Sequence, residues 1–137
     1  MPTKNDIKFT DNPLVADDPG RYIAVKVRAP AVVKSWRASL FSFEWLTPDG
    51  KIKSPDQLPD AEKPKRQAVE KLLQSGNAIP MPILGIGISD NVEIGSGRAE
   101  FLTLAAQGVA IIPVHIPKSC ESDFKPFLAD VDSSHGK

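Results

Sequence analysis

Proline limits the fold of this chain more than any other residue, because its ring fixes φ and removes a backbone donor. Nine of the 13 prolines fall where they interrupt every long helix that could otherwise form: Pro30, Pro48, Pro55, Pro59, Pro64, Pro80, Pro82, Pro113 and Pro117. The apolar stretches between them are well short of the roughly 18 residues that a membrane span needs. We therefore expect neither a long helical bundle nor a membrane protein.

The charge of the whole chain favours no class of partner, because 17 Lys and Arg balance 17 Asp and Glu. Balanced charge and well-formed apolar runs also argue against a disordered chain. The local distribution is uneven, since the stretch from Arg21 to Phe43 has five basic residues and no acidic one. Residues 79–118 carry only five charges, which is typical of a protein core.

The single cysteine, Cys120, cannot form a disulfide within the chain and fits a reducing compartment. No apolar stretch follows the first residues, so we expect no signal peptide. A cytoplasmic location is the resulting prediction.

The pattern of apolar residues predicts a mixture of strands and helices. Strands are expected at Tyr22–Val27, Ser39–Leu46, Lys51–Lys53, Ile79–Ile88, Val92–Gly95 and Ala110–Ile116. The second and third would form a hairpin through the turn Thr47-Pro48-Asp49-Gly50.

Two helices are expected. Asp60 would cap one that runs to about Ser75, with an apolar stripe of Ala68, Val69, Leu72 and Leu73 and a stop at Gly76. The other is Gly97–Gln107, with its apolar residues inward, including Ala105 and Ala106. The prediction is a single α/β (α+β) domain over residues 21–118, with a mixed β-sheet flanked by helices. A flexible arm (residues 1–20) and a polar tail (residues 119–137) would flank it.

The segment Val92–Glu100 is the best candidate for a functional site, because a strand runs through Gly95, Ser96 and Gly97 directly into a helix. The glycines let the backbone turn so that free helix N–H groups can face an anion, and Arg98 adds a planar cation suited to phosphate. The pattern favours phosphate or nucleotide binding by Gly95, Ser96, Gly97 and Arg98. An ordinary Gly-rich turn with Ser96 as the N-cap explains the same residues.

Two acids flank this turn. Glu93 and Glu100 could hold a divalent metal, most simply Mg²⁺, or one could act as general base for water. Arg98 would then stabilise charge on the reacting phosphate. The alternative is that Glu100 only favours the helix start and that Glu93 is solvated.

Other chemical motifs are weak. Gly85-Ile86-Gly87 lacks the third glycine of a dinucleotide fingerprint, since Asp90 stands there. His115 lies in an apolar strand and is expected to be a satisfied or edge histidine. His135 lies in the tail, and the two histidines and one cysteine are too far apart for a zinc pattern.

The acid-free basic stretch combines cations with aromatic residues, which suits a nucleic-acid backbone and unstacked bases. The candidate DNA-binding residues are Arg21, Lys26, Arg28, Lys34, Trp36 and Arg37. A solvated strand face with core aromatics is the alternative.

Residues 79–117 resemble the ParB N-terminal/sulfiredoxin superfamily. The matching residues are Gly97-Arg98, the helix end Ala105–Gly108, the strand Ile111–Ile116 and the upstream segment Pro82–Asp90. Ala99 and Glu100 stand where the family usually has His or Arg and then Arg, so the second phosphate arginine is missing. Sulfiredoxin places its catalytic cysteine in this turn, whereas this chain has Ser96 or Gly97 there.

As a short domain with a variant turn, the chain looks most like plasmid fertility-inhibition factors of the oncogenic-suppression type. That resemblance implies a block of conjugative or T-DNA transfer, with ATP hydrolysis and DNA cleavage on the shared scaffold. It implies ATP, a divalent metal and DNA as ligands. Two alternatives stay open: a non-enzymatic ParB-like DNA-binding or partition regulator, and a protein-interaction inhibitor of a type IV secretion component.

Overall fold

The structure is a computed structural model, and it describes residues 7–129. Its strands and α-helices are, in chain order, β1 (Phe9–Thr10), α1 (Pro13–Ala16), β2 (Tyr22–Arg28), α2 (Ala29–Trp36), α3 (Lys63–Ser75), β3 (Ile79–Pro80), β4 (Ile83–Ile86), β5 (Val92–Ser96), α4 (Arg98–Ala106) and β6 (Ile111–Pro117). Short 3₁₀ turns lie at Pro19–Arg21, Ser42–Glu44, Pro55–Gln57, Lys118–Cys120 and Ser122–Phe127.

A mixed four-stranded sheet in the order β2-β6-β4-β5 forms the centre of the fold. Strand β6 runs antiparallel to β2 and parallel to β4, and β4 forms an antiparallel hairpin with β5. Strands β1 and β3 pair separately and in parallel. Helix α2 packs against β5 and α4, and α3 packs against α4. The α+β architecture with a mixed sheet flanked by helices, which the sequence predicted, is therefore confirmed.

The core is built around large side chains that come from different parts of the chain. Trp36, Trp45, Phe101 and Phe124 are completely buried. Helix α4 buries five of its nine residues, which is why its sequence is apolar on most sides. The prediction that Ala106 points inward is wrong: α4 ends there and Ala106 is exposed.

Helix α3 begins later than predicted. Its N-cap is Glu62, and the expected cap Asp60 instead lies in a turn in which the N–H groups of Glu62 and Lys63 donate to the carbonyl of Pro59. The helix ends as predicted at Gly76, whose φ of 74° is the left-handed conformation that glycine adopts without strain. The buried face of α3 differs from the predicted apolar stripe. It includes Arg66, whereas Ala68, a predicted member of the stripe, is exposed.

The strand expected at Ser39–Leu46 is wrong. The hydroxyl of Ser42 donates to the carbonyls of Arg37 and Ser39, and this bends the segment into a 3₁₀ turn. The bend separates residues that a strand would place on one face, so Phe41 and Phe43 are exposed while Trp45 is buried. The tight turn that follows is confirmed, since Gly50 donates to the carbonyl of Thr47.

The hairpin predicted around that turn is present only as a single isolated β-bridge between Leu46 and Ile52. The long strand expected at Ile79–Ile88 is split into β3 and β4, because Pro80 and Pro82 cannot donate to a continuous ladder. Ile88 lies beyond β4 in the exposed turn before β5.

Within residues 7–129, the domain extends beyond both predicted boundaries, residue 21 and residue 118. The segment before residue 21 is attached to the domain: Asn12 is buried, and its Nδ2 donates to the carbonyl of Met81 at 2.9 Å. The segment after residue 118 buries Phe124, and Ala129 donates to the carbonyl of Lys26. The outer parts of the predicted arm and tail, including His135, lie outside the described residues.

None of the helices found between residues 7 and 129 is long and apolar enough to cross a membrane. The longest, α3, has 13 residues.

Candidate functional site

The turn between β5 and α4 depends on glycine for a structural reason. Gly97 is the N-cap of α4 with φ 82°, and a Cβ at this position would lie 2.9 Å from Cα of Pro82. A Cβ on Gly95 would meet only the carbonyl oxygen of Ile83, at an ordinary 3.6 Å. The expected N-cap role of Ser96 is wrong, because its hydroxyl oxygen instead accepts a hydrogen bond from Nδ2 of Asn12.

A groove of about 530 Å³ separates this turn from α3. Lys65 lies on one wall, and Ser96, Arg98 and Glu100 lie on the other. The first hydrogen bond of α4 runs from the N–H of Phe101 to the carbonyl of Gly97. The N–H groups that precede it in the helix therefore have no partner within the helix, and their residues line the groove. The groove thus brings two cations, a hydroxyl and helix N–H groups together.

Arg98 is held by three neighbours. Its Nη1 donates to Oε1 of Glu44 at 2.9 Å, and its guanidinium carbon lies 5.3 Å from the ring centroid of Phe41 and 5.7 Å from that of Trp36. Its side chain is 27% exposed. Its Nε is buried and has no hydrogen-bond partner among residues 7–129. Arg98 therefore keeps a donor unsatisfied while its other end is paired with an acid.

Two acidic residues line the groove, and only one is neutralised by neighbours. Glu62 accepts hydrogen bonds from the indole of Trp45 at 3.0 Å and from Lys65 at 3.1 Å. Burial alone would raise the pKa of Glu62, but these hydrogen bonds and the positive charges of Lys65 and Arg98 outweigh it and lower the pKa below its ordinary value. Glu100 forms no ion pair with another described residue.

The structure does not bring Glu93 into the groove with Glu100. The carboxylate of Glu93 accepts hydrogen bonds from Ser39 at 2.7 Å and from Asn91 at 3.0 Å, and Glu93 is not part of the groove lining. No group of three or more His, Cys, Asp or Glu side chains within the described ranges could hold a metal ion. The carboxylates that line the groove are Glu62 and Glu100, and Glu62 is already bonded to Trp45 and Lys65.

The six residues predicted to bind DNA fall into separate groups. Arg21, Lys26 and Arg28 lie exposed on or beside β2, and Nη2 of Arg28 donates to the carbonyl of Pro126. Lys34 and Arg37 lie on and just after α2 and line a second groove. Trp36 cannot stack on a base, because its ring is completely buried beneath Arg98.

The second groove, of about 690 Å³, lies between α2, the turn at residues 47–52 and the end of α4. Its walls are mainly small apolar side chains. Its charged residues are three cations, Lys34, Arg37 and Lys51, and one acid, Asp49. This part of the surface keeps the net positive charge that the sequence indicated for the basic stretch.

His115 is buried in β6, which lies inside the sheet, so the expected satisfied or edge histidine is not what the structure shows. Its Nε2 lies 3.6 Å from Oδ1 of Asp11 and forms no hydrogen bond with any residue that the structure describes. Cys120 is a partly buried free thiol.

Lys65 and two of the three residues that hold Arg98 were not among the site residues predicted from the sequence. Lys65 precedes Ala68, Val69 and Leu72 by three, four and seven residues, so helical periodicity places all four on one face, and all four line the groove. That spacing could have placed Lys65 beside the apolar stripe of α3 from the sequence alone. Nothing in the local pattern pointed to Glu44, which lies 54 residues before its partner Arg98.

The chain matches no protein-family model, no curated protein and no solved structure. The similarity to the ParB N-terminal/sulfiredoxin superfamily therefore stays a prediction from sequence.

Proposed function

We propose that this protein binds the phosphate groups of a nucleotide in the groove between α3 and the β5–α4 turn. The observation that carries the proposal is the meeting of Lys65, Ser96, Arg98 and the start of α4 around one groove of about 530 Å³. Backbone N–H groups at a helix start, a hydroxyl and two cations are the donors that phosphate oxygens accept.

Arg98 would exchange partners when the nucleotide binds. In the structure its Nη1 is paired with Glu44, and its Nε has no hydrogen-bond partner among the described residues. A phosphate carries more charge and more acceptor oxygens than a carboxylate, so it can compete with Glu44 for the guanidinium. We place Glu100 at the groove as the residue that orients water or shares a metal ion brought by the nucleotide.

The biological role that we propose follows the sequence resemblance. It is a cytoplasmic fertility-inhibition protein that blocks conjugative or T-DNA transfer through ATP hydrolysis and DNA cleavage. The cationic surface around Lys34, Arg37 and Lys51 supports contact with DNA, because it combines three positive charges with one acid. Glu93 has no part in this proposal, since its carboxylate already bonds Ser39 and Asn91.

Titration of a fluorescent ATP analogue into the full chain tests the nucleotide site. Lys65→Ala and Arg98→Ala are expected to weaken binding at least tenfold each, by removal of a charge-assisted contact. Lys71→Ala is the matched control, because Lys71 is an exposed lysine on the same helix outside the groove lining. Glu44→Gln is expected to tighten binding, since it frees Arg98. Equal binding by wild type, Lys65→Ala and Arg98→Ala would reject the site.

A non-enzymatic DNA-binding regulator is the second candidate. The positions of the acids favour it, because Glu93 lies outside the groove and Glu62, which lines the groove with Glu100, is already bonded to Trp45 and Lys65. This candidate predicts salt-sensitive DNA binding without ATP turnover or DNA degradation in the presence of Mg²⁺. The enzymatic proposal predicts both activities and their loss in Glu100→Gln.

A further inference from the structure

The bend at Ser42–Glu44 exposes an unusual group of side chains. Leu40 is 86% exposed, Phe43 is 67% exposed and Phe41 is 54% exposed, all within four consecutive positions. We call residues 40–43 the aromatic loop. Large apolar side chains that cluster in water often mark a binding surface.

The backbone beneath the aromatic loop is firmly anchored. The Ser39 hydroxyl donates to Glu93, and the Ser42 hydroxyl donates to the carbonyls of Arg37 and Ser39. On the far side, the buried indole of Trp45 donates to Glu62. The rings are therefore presented on a fixed support, which lowers the ordering entropy that a ligand must overcome.

Positive charge surrounds the more exposed ring. Phe43 lines a hollow of about 370 Å³ together with Arg37 and Lys53, and no acidic residue is part of that lining. One N–H of Arg37 donates to the carbonyl of Pro48, which holds its guanidinium at the rim. The other ring, Phe41, is already covered on one side by Arg98. Phe43 is thus an aromatic face beside two cations.

We propose that Phe43 stacks on an unpaired base of single-stranded DNA while Arg37 and Lys53 bind the adjacent phosphates. Aromatic faces combined with cations are the usual means by which proteins hold single strands without reading their sequence. A duplex cannot use this arrangement, because its bases are stacked inside the helix. The inference rests on the proposed function for DNA as the partner. It deepens that function by assigning single-stranded DNA as the ligand and Phe43 as the ring that holds it.

An apolar protein partner is the competing occupant, since Leu40 and Ile88 are also exposed. The charges favour the single strand, because the lining of the hollow beside Phe43 has two cations, Arg37 and Lys53, and no acid. A partner that used the loop as a plain apolar surface would depend on Leu40 at least as much as on Phe43.

The test is fluorescence anisotropy with a labelled oligothymidylate of about 15 nucleotides and a duplex of equal length, a size that covers the usual single-strand sites. We expect the wild-type chain to prefer the single strand. Phe43→Ala should weaken single-strand binding about tenfold, the typical effect of losing one stacked base. Leu40→Ala, a change at a still more exposed side chain of the same loop, should leave it within about twofold.

Two further variants separate stacking from charge. Phe43→Trp should keep the affinity, and its exposed indole should be quenched by the bound bases, whereas Trp36 and Trp45 are buried. Arg37→Ala should lower the slope of log affinity against log salt by about one. Phe43 is a surface residue, so its variants are expected to unfold at the same urea concentration as wild type.

Three results would overturn the inference: equal affinity of Phe43→Ala and wild type, a loss in Leu40→Ala as large as in Phe43→Ala, or preference for the duplex. Failure of the wild type to bind either DNA at low salt would also overturn it. The ATP-analogue titration separates this failure from that of the nucleotide site, because it depends on Lys65 and not on Phe43.

Discussion

Arg98 and Glu44 form an ion pair of 2.9 Å across 54 residues of sequence, and this pair joins the start of α4 to the bend that exposes the aromatic loop. Both side chains are about one-third exposed, and the guanidinium also lies over the ring of Phe41. Arg98 therefore connects the candidate nucleotide groove to the aromatic loop.

The first prediction concerns the energy of that pair. Partly exposed ion pairs contribute up to about 1 kcal/mol, so a double-mutant cycle of Arg98→Ala and Glu44→Ala should give a coupling energy of about 0.5–1 kcal/mol. Urea unfolding of wild type, the two single variants and the double variant measures it. Strictly additive effects would show that the contact does not stabilise the fold.

The second prediction concerns the two glycines of the β5–α4 turn. Gly97→Ala should lower the free energy of unfolding by about 3 kcal/mol, because it adds left-handed strain and a contact of the new Cβ with Pro82. Gly95→Ala should change it by less than about 1 kcal/mol, since its Cβ has room and a strand favours alanine over glycine. Chemical denaturation of both variants checks the contrast, and equal losses would contradict it.

The third prediction is a pH dependence that arises from Glu62. Its pKa is lowered in the folded protein, so its contribution to stability is complete above the ordinary value of 4.5 and is lost as the pH falls through the lower folded value. Urea unfolding between pH 3 and pH 6 should show the wild type losing its advantage over Glu62→Gln as the pH falls below about 4.5. A constant difference over that range would contradict the assignment.

The fourth prediction concerns Asn12, which ties the N-terminal segment to the sheet. Its Nδ2 donates to Met81 and Ser96, and its Oδ1 accepts from the N–H of Leu14. Asn12→Ala should cost about 1–3 kcal/mol, because it leaves a buried carbonyl unpaired.

The matched control for Asn12 is Asn77→Ala, a change at an exposed asparagine that should stay within about 0.5 kcal/mol. Hydrogen exchange of the Ile79 and Met81 amides, which donate to Lys8 and Thr10, should speed up in Asn12→Ala. Unchanged protection of both amides would show that Asn12 does not hold β1 in place.

Sequence patterns predicted the parts of the fold that depend on local structure. The end of α3 at Gly76 followed from the left-handed preference of glycine, and α4 followed from a strand, a glycine turn and an apolar run. The bend at Ser42 could not be predicted from alternation, because a hydroxyl that bonds two carbonyls overrides the period of two.

The candidate site was predicted only in part for a related reason. The β5–α4 turn is contiguous in sequence, so Gly95 to Arg98 could be identified together. The partners that decide the role of Arg98 come from distant segments, and no local pattern places Glu44 beside it. The assignment of Trp36 to DNA failed because its burial depends on packing beneath Arg98.

The position of β6 in the sheet has a consequence for how the chain acquires its structure. The last strand of residues 7–129 lies between β2 and β4, so β2 obtains its ladder partner only after nearly the whole domain has been synthesised. Such distant pairings slow folding and leave the edges of early strands open meanwhile. During translation, β2 is therefore expected to stay without its ladder partner until residues 111–117 emerge.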